Sequence, residues 1–287
     1  MKLEDLPTPC LVLELGILKR NLARMADAVA RHPGLKLRPH MKTAKSLAVA
    51  ALAAPNHGPI TVSTIAEARY FAGGGYRDQI YAVGITPQKL AAIAAINAQG
   101  NDVKIITDDL EVASAIAAHP GILPTLIEVD CGEGRGGIAP DSAVLAEIAQ
   151  RLGARCAGIM THAGHSYAER NEDGMRKIAE AERAGAVLAA ERLRGMGITP
   201  RVVSAGSSPT ALYGQSMAGI TRLTLLRHAL LLRPDDPDRW QELIGLITEL
   251  GGALHLADID GLFVRPPSRQ AMAMDEGRPG SLIKEII

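Results

Sequence analysis

Apolar and basic side chains alternate without a break along residues 35–42. Successive side chains of an extended strand point to opposite faces, so this segment has one apolar face and one basic face. The apolar face carries Leu35, Leu37, Pro39 and Met41, and the basic face carries Lys36, Arg38, His40 and Lys42. The pattern predicts a strand whose basic groups converge toward its carboxyl end.

Extended and helical patterns then alternate along most of the chain. After an opening strand near residues 10–15, strands are predicted at 35–41, 60–64, 79–84, 102–107, 123–130, 156–161 and 201–205. Ala-rich segments with helical periodicity predict helices at about 17–31, 44–54, 65–73, 87–98, 109–118, 141–152 and 170–196. Thr64 with Glu67 three residues later forms a capping box, which supports a helix start at residue 65.

Seven strand–helix steps in one direction predict a parallel α/β sheet. A TIM-type (β/α)8 barrel is favoured over an open Rossmann-like sheet, because seven units exceed what most open sheets need. In addition, no GxGxxG motif follows the first strand.

The strand–helix pattern stops near residue 222, and no eighth unit is predicted. We therefore expect an incomplete barrel over residues 1–221 and a divergent tail of uncertain structure over residues 222–287. A barrel without one strand has unpaired strand edges, so low stability or dependence on a partner is expected.

Composition narrows the function classes. The chain of 287 residues is long enough for one α/β barrel, and its 31 basic and 31 acidic residues balance, which argues against nucleic acid as a partner. The three cysteines show no CxxC spacing, so neither a disulfide framework nor a four-cysteine zinc site is indicated. The chain begins without the apolar core of a secretory signal and has no uncharged apolar run of ~20 residues, so a cytoplasmic protein without membrane association is expected.

Lys42 is the strongest candidate for chemistry. Side chains that point inward at the carboxyl ends of barrel strands line the active site, and this places His40 and Lys42 there, with Lys45 outside the alternation. Burial beside other cations lowers the pKa of a lysine, so that its amine can form a Schiff base with an aldehyde. Cations near such a lysine favour the binding of an anionic ligand. A ligand that is both an anion and an aldehyde is pyridoxal phosphate, which this strand therefore favours. The alternative is an exposed edge strand whose charges face water.

Three loops after later strands are expected at the same end of the barrel. The loop 204–210 follows the seventh strand, where TIM barrels often bind phosphate. The glycine-rich loop after the fifth strand carries Arg135, which could pair with a pyridine nitrogen or a substrate carboxylate. The loop after the sixth strand carries His162, His165 and Tyr167, as acid/base groups, cofactor-stacking groups or half of a metal site. Taken alone, the loop 204–210 is more typical of an ordinary turn and helix cap, and the alternative for Arg135 is a salt-bridged residue of a surface loop.

Taken together and in this order, these segments resemble the fold-type III pyridoxal phosphate enzymes. The resemblance is to the family of D-threonine aldolase and D-serine dehydratase, which has an alanine racemase N-terminal type of barrel. It covers roughly residues 6–221, and the matching segments are 8–13, 38–45, 62–68, 81–85, 128–135, 162–167 and 206–210.

The resemblance implies a lyase that cleaves or dehydrates a small D-hydroxy amino acid, in a protein expected to form a homodimer. Arg135 would face the pyridine nitrogen of the cofactor. The expected catalytic residues are Lys42, which would form the Schiff base, His40, His162 and His165. The expected cofactor-binding residues are Lys42, Arg38, Arg135, Tyr167, Gly206, Ser207, Ser208 and Thr210.

Two departures from the family stand out. Ala44 occupies a position where the family usually has histidine. Nothing after residue 222 matches the C-terminal β domain that carries the ligands of the family's divalent metal, so no metal residues are assigned. A frameshift near His228 is one hypothesis for the break, and the gene sequence tests it.

Two other functions fit the same motifs. One is an amino acid racemase of the same fold, which needs a second base. The other is a non-catalytic carrier that binds and releases pyridoxal phosphate, and such a carrier needs no C-terminal β domain.

Overall fold

The structure is a computed structural model that describes residue 13 and residues 15–225. The chain divides into two units, residues 1–21 with 228–287 and residues 22–227. Of the first unit, the described part is residue 13 and the beginning of one helix. Most of the predicted opening strand, nearly all of the predicted tail and the proposed frameshift lie outside the described residues.

Strands and helices alternate strictly through the described part of the chain. The strands are β1 (Lys36–Pro39), β2 (Ile60–Val62), β3 (Asp78–Gly84), β4 (Asp102–Thr107), β5 (Thr125–Val129), β6 (Cys156–Thr161), β7 (Val202–Ala205) and β8 (Arg222–Leu225). The helices are α1 (Leu15–Ala30), α2 (Leu47–Ala53), α3 (Ile65–Gly73), α4 (Leu90–Asn97), α5 (Leu110–Ala118), α6 (Ala143–Leu152), α7 (Glu172–Gly195) and α8 (Ser208–Tyr213).

All eight strands form one parallel sheet in the order β1-β8-β7-β6-β5-β4-β3-β2. The two end strands are also neighbours, because His40 bridges to Thr61 and the Met41 N–H donates to the Thr61 carbonyl at 2.8 Å. The sheet therefore curls into a nearly closed barrel, which confirms the predicted TIM-type (β/α)8 architecture.

The eighth strand corrects the expectation of a seven-strand barrel. β8 pairs with β1 on one side and with β7 on the other. It contains only Arg-Leu-Thr-Leu, which is too short for its alternation to stand out in the sequence. The expected gap in the sheet is therefore filled, and the physical reason for predicting low stability is removed.

Capping side chains fix the first residues of helices α3 and α8. The Glu67 N–H donates to Thr64 Oγ1 at 3.0 Å, as expected for the start of α3. The Glu67 carboxylate accepts from the Ser63 N–H at 2.8 Å, one residue before the usual capping box. At α8, which was not predicted, Ser207 and Thr210 form a complete capping box.

The barrel interior is polar near the amino ends of the strands and apolar in its middle. Arg38 is fully buried, and its guanidinium donates to the carbonyls of Ile60 and Asp78 and, at 2.7 Å, to the Asp78 carboxylate. Lys104 donates to the same carboxylate at 2.8 Å. Above them lies an apolar layer of Ile80, Ile106, Leu126, Ala157, Met160 and Val202. This layer separates the buried charges from the opposite, carboxyl-end mouth.

Among the described residues, every helix is either too short or too polar to cross a lipid bilayer.

Candidate active site

His40 and Lys42 lie just beyond β1, at the carboxyl-end mouth of the barrel. The Lys42 N–H donates to His40 Nδ1 at 3.3 Å, so the proton of a neutral His40 ring is on Nε2. That nitrogen lies 3.3 Å from Ser63 Oγ, beyond the end of β2. The buried imidazole thus ties the backbone of Lys42 to the neighbouring strand and fixes where the lysine leaves the barrel wall.

The Lys42 amine is partly buried, and both a cation and carboxylates act on it. Burial lowers the pKa of Lys42, and the charge of Arg135 lowers this pKa further, against the opposing charges of Glu67 and Glu133. This is the direction expected from the sequence. Lys45 differs, because it is 48% exposed and its amine lies 3.3 Å from the Glu67 carboxylate.

The loop after β5 is shaped by Asp130. Its Oδ1 accepts from the N–H groups of Gly132, Glu133 and Gly134. Burial raises the pKa of Asp130, but these hydrogen bonds to the ionised form prevail and the pKa is lowered. The turn carries Glu133 and is followed directly by Arg135. The charges of both residues act on Lys42.

Glu128, on the inward face of β5, is a site residue that sequence reasoning missed. It lies on the same strand face as Leu126 of the apolar layer, two residues nearer the mouth. Burial and then the charge of Asp108 raise the pKa of Glu128 to about 7, while Arg135 opposes them. The alternation of β5 is the signal that could have identified it. A carboxyl with this pKa can hold or release a proton near neutral pH.

The loop after β6 contributes two histidines with different surroundings. His162 Nδ1 lies 2.9 Å from the Gly206 carbonyl, which can only accept, so a neutral ring keeps an acceptor at Nε2. Burial lowers the pKa of His162, and the charges of Lys42 and Arg135 act in the same direction. The buried Nδ1 of His165 has no hydrogen-bond partner among the described residues.

The loop after β7 is buried and rich in hydroxyl groups. Ser207 Oγ lies 2.6 Å from Ser166 Oγ and 3.0 Å from Thr210 Oγ1. The Tyr167 hydroxyl accepts from the Ser208 N–H at 3.3 Å and donates to Ser208 Oγ at 3.4 Å. Small buried hydroxyl side chains of this kind suit a bound oxyanion.

Glu182 of α7 is the second site residue that sequence reasoning missed. Its carboxylate links the loop after β6 to the loop after β7. Its Oε1 accepts from the N–H groups of Ala163 at 2.8 Å and Gly206 at 3.0 Å, and its Oε2 accepts from the Thr210 hydroxyl at 2.7 Å. Burial raises the pKa of Glu182 to about 7 even though these hydrogen bonds lower it. Its sequence gives no signal, because α7 carries many charged residues and only the tertiary packing selects the buried one.

The predicted site residues fall into two groups, with His165 beside Gly132 of the loop after β5 and Arg38 apart from both groups. Lys42, Arg135 and His162 influence one another electrostatically, and His40 adjoins Lys42. The hydroxyl-rich group joins them through the contact of His162 with Gly206; it consists of Tyr167, Gly206, Ser207, Ser208 and Thr210. Arg38 lies apart, because its guanidinium is paired near the amino ends of β2 and β3. No group of three or more His, Cys, Asp or Glu side chains suited to a metal ion occurs within residues 15–225.

The buried Glu182 carboxyl makes stability depend on pH. Its pKa in the folded protein, about 7, lies above the ordinary value of 4.5, so its stabilising contribution is complete below about pH 4.5 and is lost as pH rises through about 7. We expect the unfolding free energy of the protein to fall by about 3 kcal/mol from this carboxyl between pH 5 and pH 8. Urea unfolding at a series of pH values measures this fall in the free energy of unfolding. Glu182→Gln should remove most of this fall, and an unchanged pH dependence in the variant would contradict the assignment.

Comparison with known proteins gives the family. A model described as alanine racemase, N-terminal domain, matches residues 13–228. The D-threo-3-hydroxyaspartate dehydratase of Delftia sp. (strain HT23) is 40% identical over 227 residues, covering 76% of this chain and 60% of the dehydratase. The 3-hydroxy-D-aspartate aldolase of Paracoccus denitrificans (strain Pd 1222) is 31% identical over 228 residues, covering 75% of this chain and 58% of the aldolase.

Solved structures agree with these sequence matches. The structure of D-threo-3-hydroxyaspartate dehydratase from Delftia sp. HT23 superposes with a TM-score of 0.73 at 38% identity, over 77% of this chain and 60% of the dehydratase chain. This chain thus spans about 60% of the length of the curated relatives it matches. The resemblance read from the sequence motifs is confirmed, and the chain belongs to the alanine racemase N-terminal domain family.

Proposed function

We propose that this chain binds pyridoxal phosphate through Lys42 and that the protein is a lyase acting on 3-hydroxy-D-aspartate or a closely related small D-hydroxy amino acid. The observation that carries the proposal is the partly buried Lys42 amine, whose pKa is lowered, at a mouth that also holds Arg135 and neutral His162. The two relatives above 30% identity that are described above support the substrate class, since both names contain 3-hydroxyaspartate.

The residues at the mouth fit this cofactor. An amine with a lowered pKa suits an aldehyde, the buried hydroxyls after β7 suit a phosphate, and the unpartnered Nδ1 of His165 suits a polar group of a ligand. When bound, pyridoxal phosphate supplies an aldehyde that condenses with amines and a ring that withdraws electrons from the bonds at the α-carbon of the substrate. No metal ligand is proposed.

Arg135 is proposed to hold the substrate carboxylate. Its charge acts on the Lys42 amine, and the aldehyde carbon that meets this amine lies across the cofactor ring from the pyridine nitrogen. A guanidinium near Lys42 is therefore better placed for the carboxylate of the substrate than for the nitrogen. Of the two roles that the sequence left open for Arg135, this one is favoured by the electrostatics.

The proposed proton-handling groups are His162, on which the charge of Lys42 acts, and Glu128, on which the charge of Arg135 acts. His162 is neutral and has an acceptor at Nε2, because its Nδ1–H donates to Gly206. Glu128 titrates near neutral pH, so its carboxyl can give or take a proton at a hydroxyl that leaves or is deprotonated. Together with the Lys42 amine, whose pKa is lowered by burial and by Arg135, these two groups can both donate and accept protons at the site.

Incubation of the purified protein, loaded with pyridoxal phosphate, with 3-hydroxy-D-aspartate tests the function. Dehydration would release ammonia and oxaloacetate, and aldol cleavage would release glycine and glyoxylate. D-Threonine and D-serine serve as related substrates, and the L-enantiomers as controls. Cofactor that stays bound without product from any of these D-amino acids would contradict the lyase and would fit a carrier.

A further inference from the structure

A continuous chain of buried oxygen atoms runs from α7 to the hydroxyl-rich loop. It joins Glu182 Oε2 to Thr210 Oγ1 at 2.7 Å, Thr210 Oγ1 to Ser207 Oγ at 3.0 Å and Ser207 Oγ to Ser166 Oγ at 2.6 Å. All four residues are at most 3% exposed. Each hydroxyl has one proton, so every hydroxyl in such a chain must choose which neighbour it donates to.

The charge on Glu182 decides the direction of these protons. An ionised carboxylate only accepts, so Thr210 donates to Glu182. The Thr210 oxygen is then open to the Ser207 proton, and the Ser207 oxygen to the Ser166 proton. A protonated carboxyl donates to Thr210 Oγ1, and the Thr210 proton then turns to Ser207. In this second arrangement the Ser207 hydroxyl no longer donates to Thr210, so it can donate to Ser166 or to a ligand.

An anion at this loop favours the second arrangement for two reasons. A phosphate needs O–H donors, and the ionised arrangement commits the Thr210 proton to Glu182 and the Ser207 proton to Thr210. A buried carboxylate close behind the loop also repels a phosphate dianion across a medium that screens poorly.

We propose that Glu182 acts as a proton-uptake relay, taking up one proton through the Thr210–Ser207–Ser166 chain when the phosphate of the cofactor binds. Glu182 is a positioning residue and touches no substrate atom. The proposal rests on the cofactor assigned above. The titratable groups that face Glu182 are Glu133 and Cys131 from the loop after β5 and Tyr167 from the loop after β6.

Among residues 15–225, these neighbours offer the Glu182 carboxyl no compensating cation. The charge of Glu133 opposes ionisation of Glu182, and burial has the same effect. The thiol of Cys131 donates to the Glu182 backbone carbonyl rather than to its carboxylate, and burial raises the pKa of Tyr167. Glu182 therefore titrates in the pH range where pyridoxal phosphate binding can be measured.

Binding titrations of the apoprotein between pH 6 and pH 9 test the proposal. Glu182→Gln keeps an acceptor for the two N–H groups and a donor for Thr210, so it imitates the protonated carboxyl. Wild type and variant should bind pyridoxal phosphate about equally at pH 6. Above pH 7 the wild type should weaken relative to the variant by up to about tenfold per pH unit. Glu180→Gln, on the exposed face of the same helix, should follow the wild type.

Pyridoxal, which lacks the phosphate, is the matched ligand control and should show no such divergence. Calorimetry in buffers of different ionisation enthalpy should find that the wild type at pH 8 takes up about one proton more with pyridoxal phosphate than with pyridoxal. This second measurement needs no variant. Parallel pH profiles, or equal proton uptake with both ligands, would overturn the relay alone. Failure of the wild type to bind pyridoxal phosphate at any pH would overturn the relay and the proposed function together.

Discussion

Replacement of Lys42 by alanine is expected to abolish covalent cofactor attachment and to lower kcat/KM by at least about 10³-fold. The amine of Lys42 is the nucleophile assigned to the cofactor aldehyde, and its partial burial lowers its pKa. Alanine removes that amine while His40 still accepts a hydrogen bond from the backbone N–H at position 42. Absorbance spectra of the protein titrated with pyridoxal phosphate, followed by steady-state kinetics, measure both effects.

Lys45→Ala is the matched control for Lys42→Ala. Lys45 is three residues away, is 48% exposed and pairs with Glu67. Its loss should leave the cofactor spectrum unchanged and kcat/KM within about threefold of wild type, because exposed ion pairs contribute little. Covalent attachment that survives Lys42→Ala and disappears in Lys45→Ala would reverse the assignment.

Asp78→Asn is expected to destabilise the barrel by about 3 kcal/mol, because it leaves buried cations without their shared carboxylate. Arg38 is fully buried, and both Arg38 and Lys104 reach the Asp78 carboxylate within 2.8 Å. Two features keep the cost at the lower end for a broken buried pair: the carbonyls of Ile60 and Asp78 still accept from Arg38 in the variant, and the Asp78 carboxylate is 40% exposed, so water screens part of the pairing. Urea unfolding near neutral pH measures the loss.

Asp102→Asn provides the comparison for Asp78→Asn. Asp102 pairs with Lys104 at 2.7 Å and is 49% exposed, and Lys104 keeps Asp78 as a partner when Asp102 is lost, so the loss should cost on the order of 1 kcal/mol or less. Burial raises the pKa of Asp78, but Arg38 and Lys104 prevail and the pKa is lowered. The contribution of Asp78 is therefore complete above its unfolded-state pKa and is lost as pH falls through its folded-state value. Equal losses in the two variants would show that Arg38 does not depend on Asp78.

The barrel could be predicted from the sequence because most of its elements are long enough to show a period. Strands β1 to β7 and helices α1 to α7 lie close to their predicted positions. The two missed elements are both short: β8 has four residues, as its sheet neighbours β1 and β7 also have, and α8 has six. Elements of that length form because neighbouring strands and loops supply their partners, and this information is not local in the chain.

The candidate site could be predicted only as far as alternation and strand ends allow. The alternation along β1 places Arg38 on the inward face of the barrel, and the structure agrees. The alternation does not indicate toward which end of the barrel a long side chain extends. Asp78, forty residues away, draws the guanidinium toward the amino ends of the strands. Glu182 was beyond prediction for the same reason, because its partners Ala163, Gly206 and Thr210 meet only in the folded barrel.

Reduction of the protein with sodium borohydride in the presence of pyridoxal phosphate, followed by peptide mapping, tests the central claim most directly. The account predicts a pyridoxyl label on Lys42, in the peptide that follows β1, and predicts that Lys45 stays unlabelled. A label on Lys45 or on a lysine outside the barrel mouth, or the absence of any label, would contradict it.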